Sequence, residues 1–287
     1  MSHSEILSYE EIRTVVQAAA ELGINKIRLT GGEPLVRAEL PALVRMLSQI
    51  DGIHELSLTT NGTLLRNNAL ALKQAGLSRI NVSLDTLKED KFQRITRLGK
   101  LQDVLEGIET AKKVGFQPVK INTVVMRGIN DDEILDFARM TYEEGCHVRF
   151  IELMPFKGMA EFVPLVEVRQ RISMLGKLEP CPSITGNGPA RYYRLAGAKG
   201  TIGFISPLTE LAFCSRCNRI RLTPDGRLRP CLLGEDEIDL KMPLRNNAST
   251  EELRRLILKA VASKPEHHHL EGGNVRSVKR KMSQIGG

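Results

Sequence analysis

Over residues 8–22 apolar side chains recur at three- and four-residue spacing, and Ser8 is followed by Glu11 three positions on, which predicts a helix opened by a capping box. At 26–30 the period changes to two. Lys26, Arg28 and Thr30 fall on one side and Ile27 and Leu29 on the other, so a strand is predicted to run into Gly31-Gly32-Glu33-Pro34. The alternation returns where Ser57, Thr59 and Asn61 oppose Leu56 and Leu58, where Asn81, Ser83 and Asp85 oppose Ile80, Val82 and Leu84, and where Lys120 and Asn122 oppose Val119 and Ile121. Strands are therefore expected over 26–30, 56–60, 79–85, 119–126 and 148–154. Helices are expected near 38–49, 67–75, 88–94, 101–114 and 131–144, several stopped by glycines such as Gly76, Gly115 and Gly145.

Alternating strands and helices predict βα units and a parallel sheet, open or closed into a barrel. A half-exposed sheet would also have one wet face. Parallel strands, however, are normally covered on both faces and read as continuous apolar runs. Four strands that each turn polar groups to one side are better explained as the lining of a ligand-filled barrel. From about residue 165 the texture changes: a helix over 166–175, a Pro- and Gly-rich loop over 180–189, then hairpin-like segments at 192–195, 201–205 and 220–231. The last is expected to turn at Pro224-Asp225-Gly226, and a helix near 250–262 precedes a basic tail. The reading is a barrel part over 1–165 and an α+β part over 166–287.

Composition narrows the partners. The 287 residues carry a net charge of +7, but aromatics are only 4% and Trp is absent, so stacking platforms for single-stranded nucleic acid are scarce. A phosphorylated small molecule suits the spread of basic residues better than a nucleic-acid groove. No apolar run approaches the roughly 20 residues of a membrane span. The start at Met1-Ser-His-Ser-Glu has no secretory pattern, and a cytoplasmic protein is expected.

Three of five cysteines crowd together: Cys214, Cys217 and Cys231 form C-x2-C-x13-C. Cys146 reads as a small buried hydrophobe. Three thiolates suit a [4Fe–4S] cluster with one open iron. A structural zinc site wants a fourth ligand, which a histidine of 267–269 or Cys181 would have to supply. On spacing alone the two metals stand level. Arg219 and Arg221, two residues apart beside the cysteines, point to one side of an extended segment and suit an anionic ligand.

The segments K-I-R-L-T-G-G-E-P (26–34), L-T-T-N-G (58–62), R-I-N-V-S-L-D (79–85), R-F-I-E-L-M-P (149–155) and F-C-S-R-C-N-R-I-R-L (213–222) occur in that order. In this set the chain resembles the GTP 3′,8-cyclases of molybdenum-cofactor biosynthesis, within the radical S-adenosylmethionine superfamily, from Ser8 to the terminal Gly286-Gly287. The resemblance implies an incomplete (βα)6 TIM-like barrel without its first strand, and a C-terminal α+β iron–sulfur domain. It implies that Gly32, Ser83 and Met154 contact S-adenosylmethionine. Arg28, Thr59 and Lys120 would contact GTP from the barrel interior, with Arg219 and Arg221 flanking the nucleotide; Lys26 and Arg149 rank below them. Cys214, Cys217 and Cys231 would hold a [4Fe–4S] cluster whose open iron binds guanine, and the Gly286-Gly287 tail would reach into the cavity. In the implied reaction a 5′-deoxyadenosyl radical removes hydrogen from ribose C3′, and the carbon radical attacks guanine C8. An electron donor is implied as a partner, and a homodimer is one assembly the resemblance allows.

The family's radical-generating cluster sits on a C-x3-C-x2-C loop after the first barrel strand, and no such spacing occurs in these 287 residues. The expectation is that a segment upstream of Met1 is missing, with its strand, three cysteines, a GTP-contacting arginine and a cofactor-contacting aromatic. No catalytic residue is then assignable, one sheet edge lacks its neighbour, and the chain as given is expected to bind about one cluster and to be inactive. Two rivals are another radical S-adenosylmethionine enzyme with an auxiliary cluster and a non-catalytic protein that binds GTP and an iron–sulfur cluster.

Overall fold

The computed structural model describes residues 5–143, 146–154, 160–182, 188–267, 280 and 282–285. In chain order the elements are α1 (Tyr9–Glu21), β1 (Lys26–Leu29), α2 (Leu40–Ser48), β2 (Glu55–Thr60), α3 (Leu65–Gln74), β3 (Arg79–Ser83), α4 (Glu89–Thr96), α5 (Leu101–Lys113), β4 (Val119–Val125), α6 (Ile134–Glu143) and β5 (His147–Glu152). They continue with α7 (Leu165–Ile172), β6 (Leu178–Pro180), β7 (Arg191–Leu195), β8 (Thr201–Ile205), β9 (Arg221–Leu222), β10 (Arg227–Arg229), β11 (Ile238–Asp239), α8 (Lys241–Arg245), α9 (Thr250–Ala262) and α10 (Met282–Ile285). The architecture is mixed α/β. No helix among the described residues is long and apolar enough to cross a membrane.

By compactness the chain falls into two units. One unit comprises Met1–Thr59, Ala71–Ser78 and Asn218–Gly287; the second comprises Thr60–Leu70 and Arg79–Cys217.

In the first unit, α1 starts at the expected reciprocal cap. Ser8 Oγ accepts the Glu11 N–H at 3.1 Å, and the Glu11 carboxylate accepts the Ser8 N–H at 2.7 Å. The small face of α1 (Val15, Ala18, Ala19) packs on Leu253, Ile257 and Ala260 of α9, and Leu228 and Leu240 complete that core. β10 pairs antiparallel with β9 and β11. The connection from β9 to β10 turns at Pro224, Asp225 and Gly226 as the sequence predicted, with Gly226 at φ +78°. β1 and β2 pair in parallel, Arg28 opposite Ser57.

In the second unit β3, β4, β5 and β8 run in parallel in that order; β7 is antiparallel to β8, and β6 to β7. Residues 192–195 and 201–205, expected as hairpins of a separate part, therefore extend this sheet. The reason lies in β8, whose Thr201, Ile202, Gly203 and Phe204 are all buried, the pattern of a central parallel strand. Register aligns two polar rungs. Asn81, Lys120, His147 and Thr201 lie side by side, and so do Ser83, Asn122, Arg149 and Gly203. The opposite face carries Ile80, Val82, Ile121, Val148 and Phe150, each at 0% exposure. Helices α5, α6 and α7 pack against β4 and β5. Cys146, just before β5, is buried as a small apolar residue.

Candidate functional site

The polar rungs of the second unit place two cations out of water. Lys120 is 3% and Arg149 4% exposed. Arg149 Nη2 donates to Asn81 Oδ1 at 2.5 Å, while its Nε has no hydrogen-bond partner among the described residues; nor has Asn122 Oδ1, on the same rung. Lys120 Nζ donates to Tyr192 Oη at 3.2 Å and lies 5.2 Å from the centre of that ring. Burial pulls the Arg149 guanidinium below its ordinary pKa, and the Tyr192 phenol acts the other way through charge and hydrogen bonding. Burial likewise lowers Arg79, where Tyr192 opposes and Arg149 reinforces the shift. His147, whose Nδ1 lies 2.9 Å from Thr201 Oγ1, is pulled down to about 4 by burial, with Lys120 and Arg194 adding to it. The imidazole is thus neutral near pH 7, and the charge on this face comes from lysine and arginine. Buried cations, one with an unpartnered Nε, are a concentrated positive potential, which suits an anionic ligand.

Toward the C-terminal ends of these strands the character changes. Ser83 is exposed and Met154 partly so. Asp85 accepts the Val124 N–H at 2.8 Å and is pushed up to about 6 by burial, which that hydrogen bond only partly offsets. Glu152 is fully buried. Its carboxylate accepts the N–H of Leu208 at 2.9 Å and of Thr209 at 3.2 Å, together with the Thr209 hydroxyl, so it anchors the turn after β8.

The first unit holds Arg28, Gly32, Thr59, Arg219, Arg221 and Cys231; the second holds Ser83, Lys120, Met154, Cys214 and Cys217. Arg28 is exposed, and its Nε donates to Ser57 Oγ at 3.4 Å across the β1–β2 pair, with Thr59 two residues further along the Ser57 side. Gly31 adopts φ +138°, a conformation side chains resist, and Gly32 is exposed. Glu33 turns back to accept the Leu35 N–H at 3.1 Å, which caps a short 3-10 turn at Pro34–Val36. Lys264 Nζ donates to Arg219 O at 2.9 Å and to Pro230 O at 2.8 Å. One ammonium thereby ties the backbone leading into β9 to the residue before Cys231.

No disulfide joins the five cysteines, and Cys214, Cys217 and Cys231 are each partly exposed. Cys214 and Cys217 share one turn, closed by the Cys217 N–H donating to Cys214 O at 2.9 Å. Two thiols on one turn are donors suited to a soft metal or an iron–sulfur centre. Among the described residues no group of three or more His, Cys, Asp or Glu side chains is arranged to hold a metal. Of the three cysteines expected to act together, Cys214 and Cys217 lie on one turn of the second unit and Cys231 lies in the first unit. His268, His269, Gly286 and Gly287 lie outside the described residues, as does the basic tail cluster except Arg280, which pairs with Asp225 and Glu237.

Arg149, ranked low from the sequence, is among the most deeply buried charges in the second unit. The signal was present: it shares strand parity with His147, on the side of Lys120. That ranking leaned instead on Glu152 and Met154, which have the opposite parity. Tyr192 was not singled out, because nothing local marks a tyrosine that reaches across a neighbouring strand.

Comparison with known proteins bears on the chain as a whole. The Radical SAM superfamily matches residues 1–141 and Molybdenum Cofactor Synthesis C matches residues 146–270. The GTP 3′,8-cyclase of Moorella thermoacetica is 53% identical over 99% of this chain and 88% of its own length. Those of Pelotomaculum thermopropionicum and Desulforamulus reducens are 54% and 50% identical, over 100% and 99% of this chain and 89% of their own lengths.

Proposed function

The chain belongs to the GTP 3′,8-cyclase family, and we propose from that premise that the polar face of its parallel sheet is where GTP is gripped. The family's reaction converts GTP to 3′,8-cyclo-7,8-dihydroguanosine 5′-triphosphate and opens molybdopterin synthesis. When bound, S-adenosylmethionine and iron–sulfur clusters supply its radical chemistry. The chain's own residues bind, orient and exclude water.

In this reading Lys120 and Arg149 take the phosphates, with Arg28 and Thr59 as further nucleotide contacts. Gly32, Ser83 and Met154 lie toward S-adenosylmethionine. Cys214, Cys217 and Cys231 hold the C-terminal [4Fe–4S] cluster, and Arg219 and Arg221 flank the nucleotide beside it. The barrel part is assigned to 1–165 and the cluster and nucleotide part to 166–287, in a cytoplasmic protein served by an electron donor. The observation that carries the reading is the pair of buried cations on one face, Arg149 held by an amide and Lys120 by a phenol. A polyanion that returned their lost hydration would make that burial worthwhile.

Iron, zinc and acid-labile sulfide analysis after anaerobic reconstitution, in the wild type and in Cys231→Ala, tests the metal assignment. The wild type is expected to gain about four iron atoms per chain at this site and the variant to retain almost none. A saturated zinc centre in protein that ignores guanine nucleotides would overturn the proposal.

A further inference from the structure

Lys120 and Arg149 are neighbouring cations on adjacent strands, one rung apart, and like charges at that range repel. Something must hold them together before a ligand arrives. The register shows what reaches them. Tyr192 on β7 lies opposite Gly203 on β8, which lies opposite Arg149 on β5. With no side chain at Gly203, the phenol crosses over β8 toward both cations. The gap is tight: a Cβ on Gly203 would stand 2.9 Å from Arg149 Cγ and 3.0 Å from Tyr192 Cε1. The ring is 6% exposed, and its Oη receives Lys120 Nζ at 3.2 Å.

We propose that Tyr192 is a positioning residue for nucleotide binding: its hydroxyl holds Lys120 and Arg149 as one phosphate-gripping pair, and Gly203 supplies the gap that lets phenol and guanidinium stem meet. A buried aromatic could equally be a space-filler. The hydroxyl separates the two roles, because packing needs the ring alone whereas gathering two cations needs an acceptor.

The inference rests on the polar face being the nucleotide site, so the experiment separates the two claims. GTP and guanosine are titrated calorimetrically into wild type, Tyr192→Phe and Gly203→Ala, and each protein's thermal midpoint is recorded. A wild type that binds GTP no more tightly than guanosine overturns the nucleotide reading itself. Given a wild-type preference for GTP, Tyr192→Phe is expected to weaken GTP by roughly tenfold, the value of a hydrogen bond to a charged group. Its guanosine affinity should stay where it was, and its thermal midpoint should fall modestly while still reporting a folded protein, because Lys120 loses a buried partner. Gly203→Ala is expected to show the same phosphate-selective loss. Unchanged GTP affinity in Tyr192→Phe, or GTP and guanosine weakening together, overturns the positioning role, and Tyr192→Phe decides it alone if Gly203→Ala does not fold.

Discussion

Arg229 in the first unit and Arg149 in the second are buried almost equally, at 2% and 4% exposure, and each leaves its Nε without a hydrogen-bond partner among the described residues. Their company differs. Arg229 meets the Glu237 carboxylate and the Gly234 carbonyl, and Glu237 is shared with Arg280, which also grips Asp225 through two contacts at 2.9–3.0 Å. Arg149 meets the Asn81 amide and the Tyr192 phenol. A buried cation answered by carboxylates is spent within the fold. One answered by neutral groups keeps an unmet demand for negative charge, the demand that a bound anion would meet.

The largest expected effect follows from that contrast. Replacing Arg229 by Met removes a buried cation from a partly buried ion-pair network, leaving Glu237 to Arg280 alone, and should destabilise the chain by about 2–3 kcal/mol in urea unfolding. Arg149→Met removes a desolvated charge that no carboxylate offsets, so it should alter stability by less than about 1 kcal/mol in either direction. Equal losses in the two variants would break the distinction.

A smaller effect sharpens it with pH. Asp85 has its folded-state pKa raised from 3.8 to about 6 by burial, and His147 has its own lowered from 6.5 to about 4. The folded chain holds a proton on Asp85 that the unfolded chain has released. The Asp85 contribution is therefore full below about pH 4 and is lost as pH rises through 6. His147 runs the other way: its contribution is present above 6.5 and lost as pH falls toward 4. Asp85→Asn removes only the first. Between pH 4.5 and 7.5 the variant should gain about 2 kcal/mol relative to wild type, read as the difference between paired urea curves. A variant that tracks the wild type across that range would show that Asp85 titrates normally.

Much of this was legible in the sequence because it is periodic. The Ser8–Glu11 cap, the five strands from 26 to 154 and the turn at Pro224-Asp225-Gly226 each follow from a local rule that tertiary packing did not override. The alternation that put Lys120 with Asn122, and Asn81 with Ser83, also put them on one face. What escaped was nonlocal. The place of β8 beside β5 depends on a strand apolar on both faces, which looks like any hairpin arm until its neighbour is known. Tyr192 acts through an empty position on another strand, so only register reveals it. The cysteine spacing marked three candidate donors, of which Cys214 and Cys217 share one turn and Cys231 follows the β9–β10 hairpin.

Calorimetric titration of GTP into wild type and Arg149→Met tests the central claim most directly. The variant is expected to bind GTP about thirtyfold more weakly while remaining folded, the loss of one charge-assisted phosphate contact. GTP affinity equal in the two proteins would contradict it, because the buried guanidinium would then serve the fold and not the nucleotide.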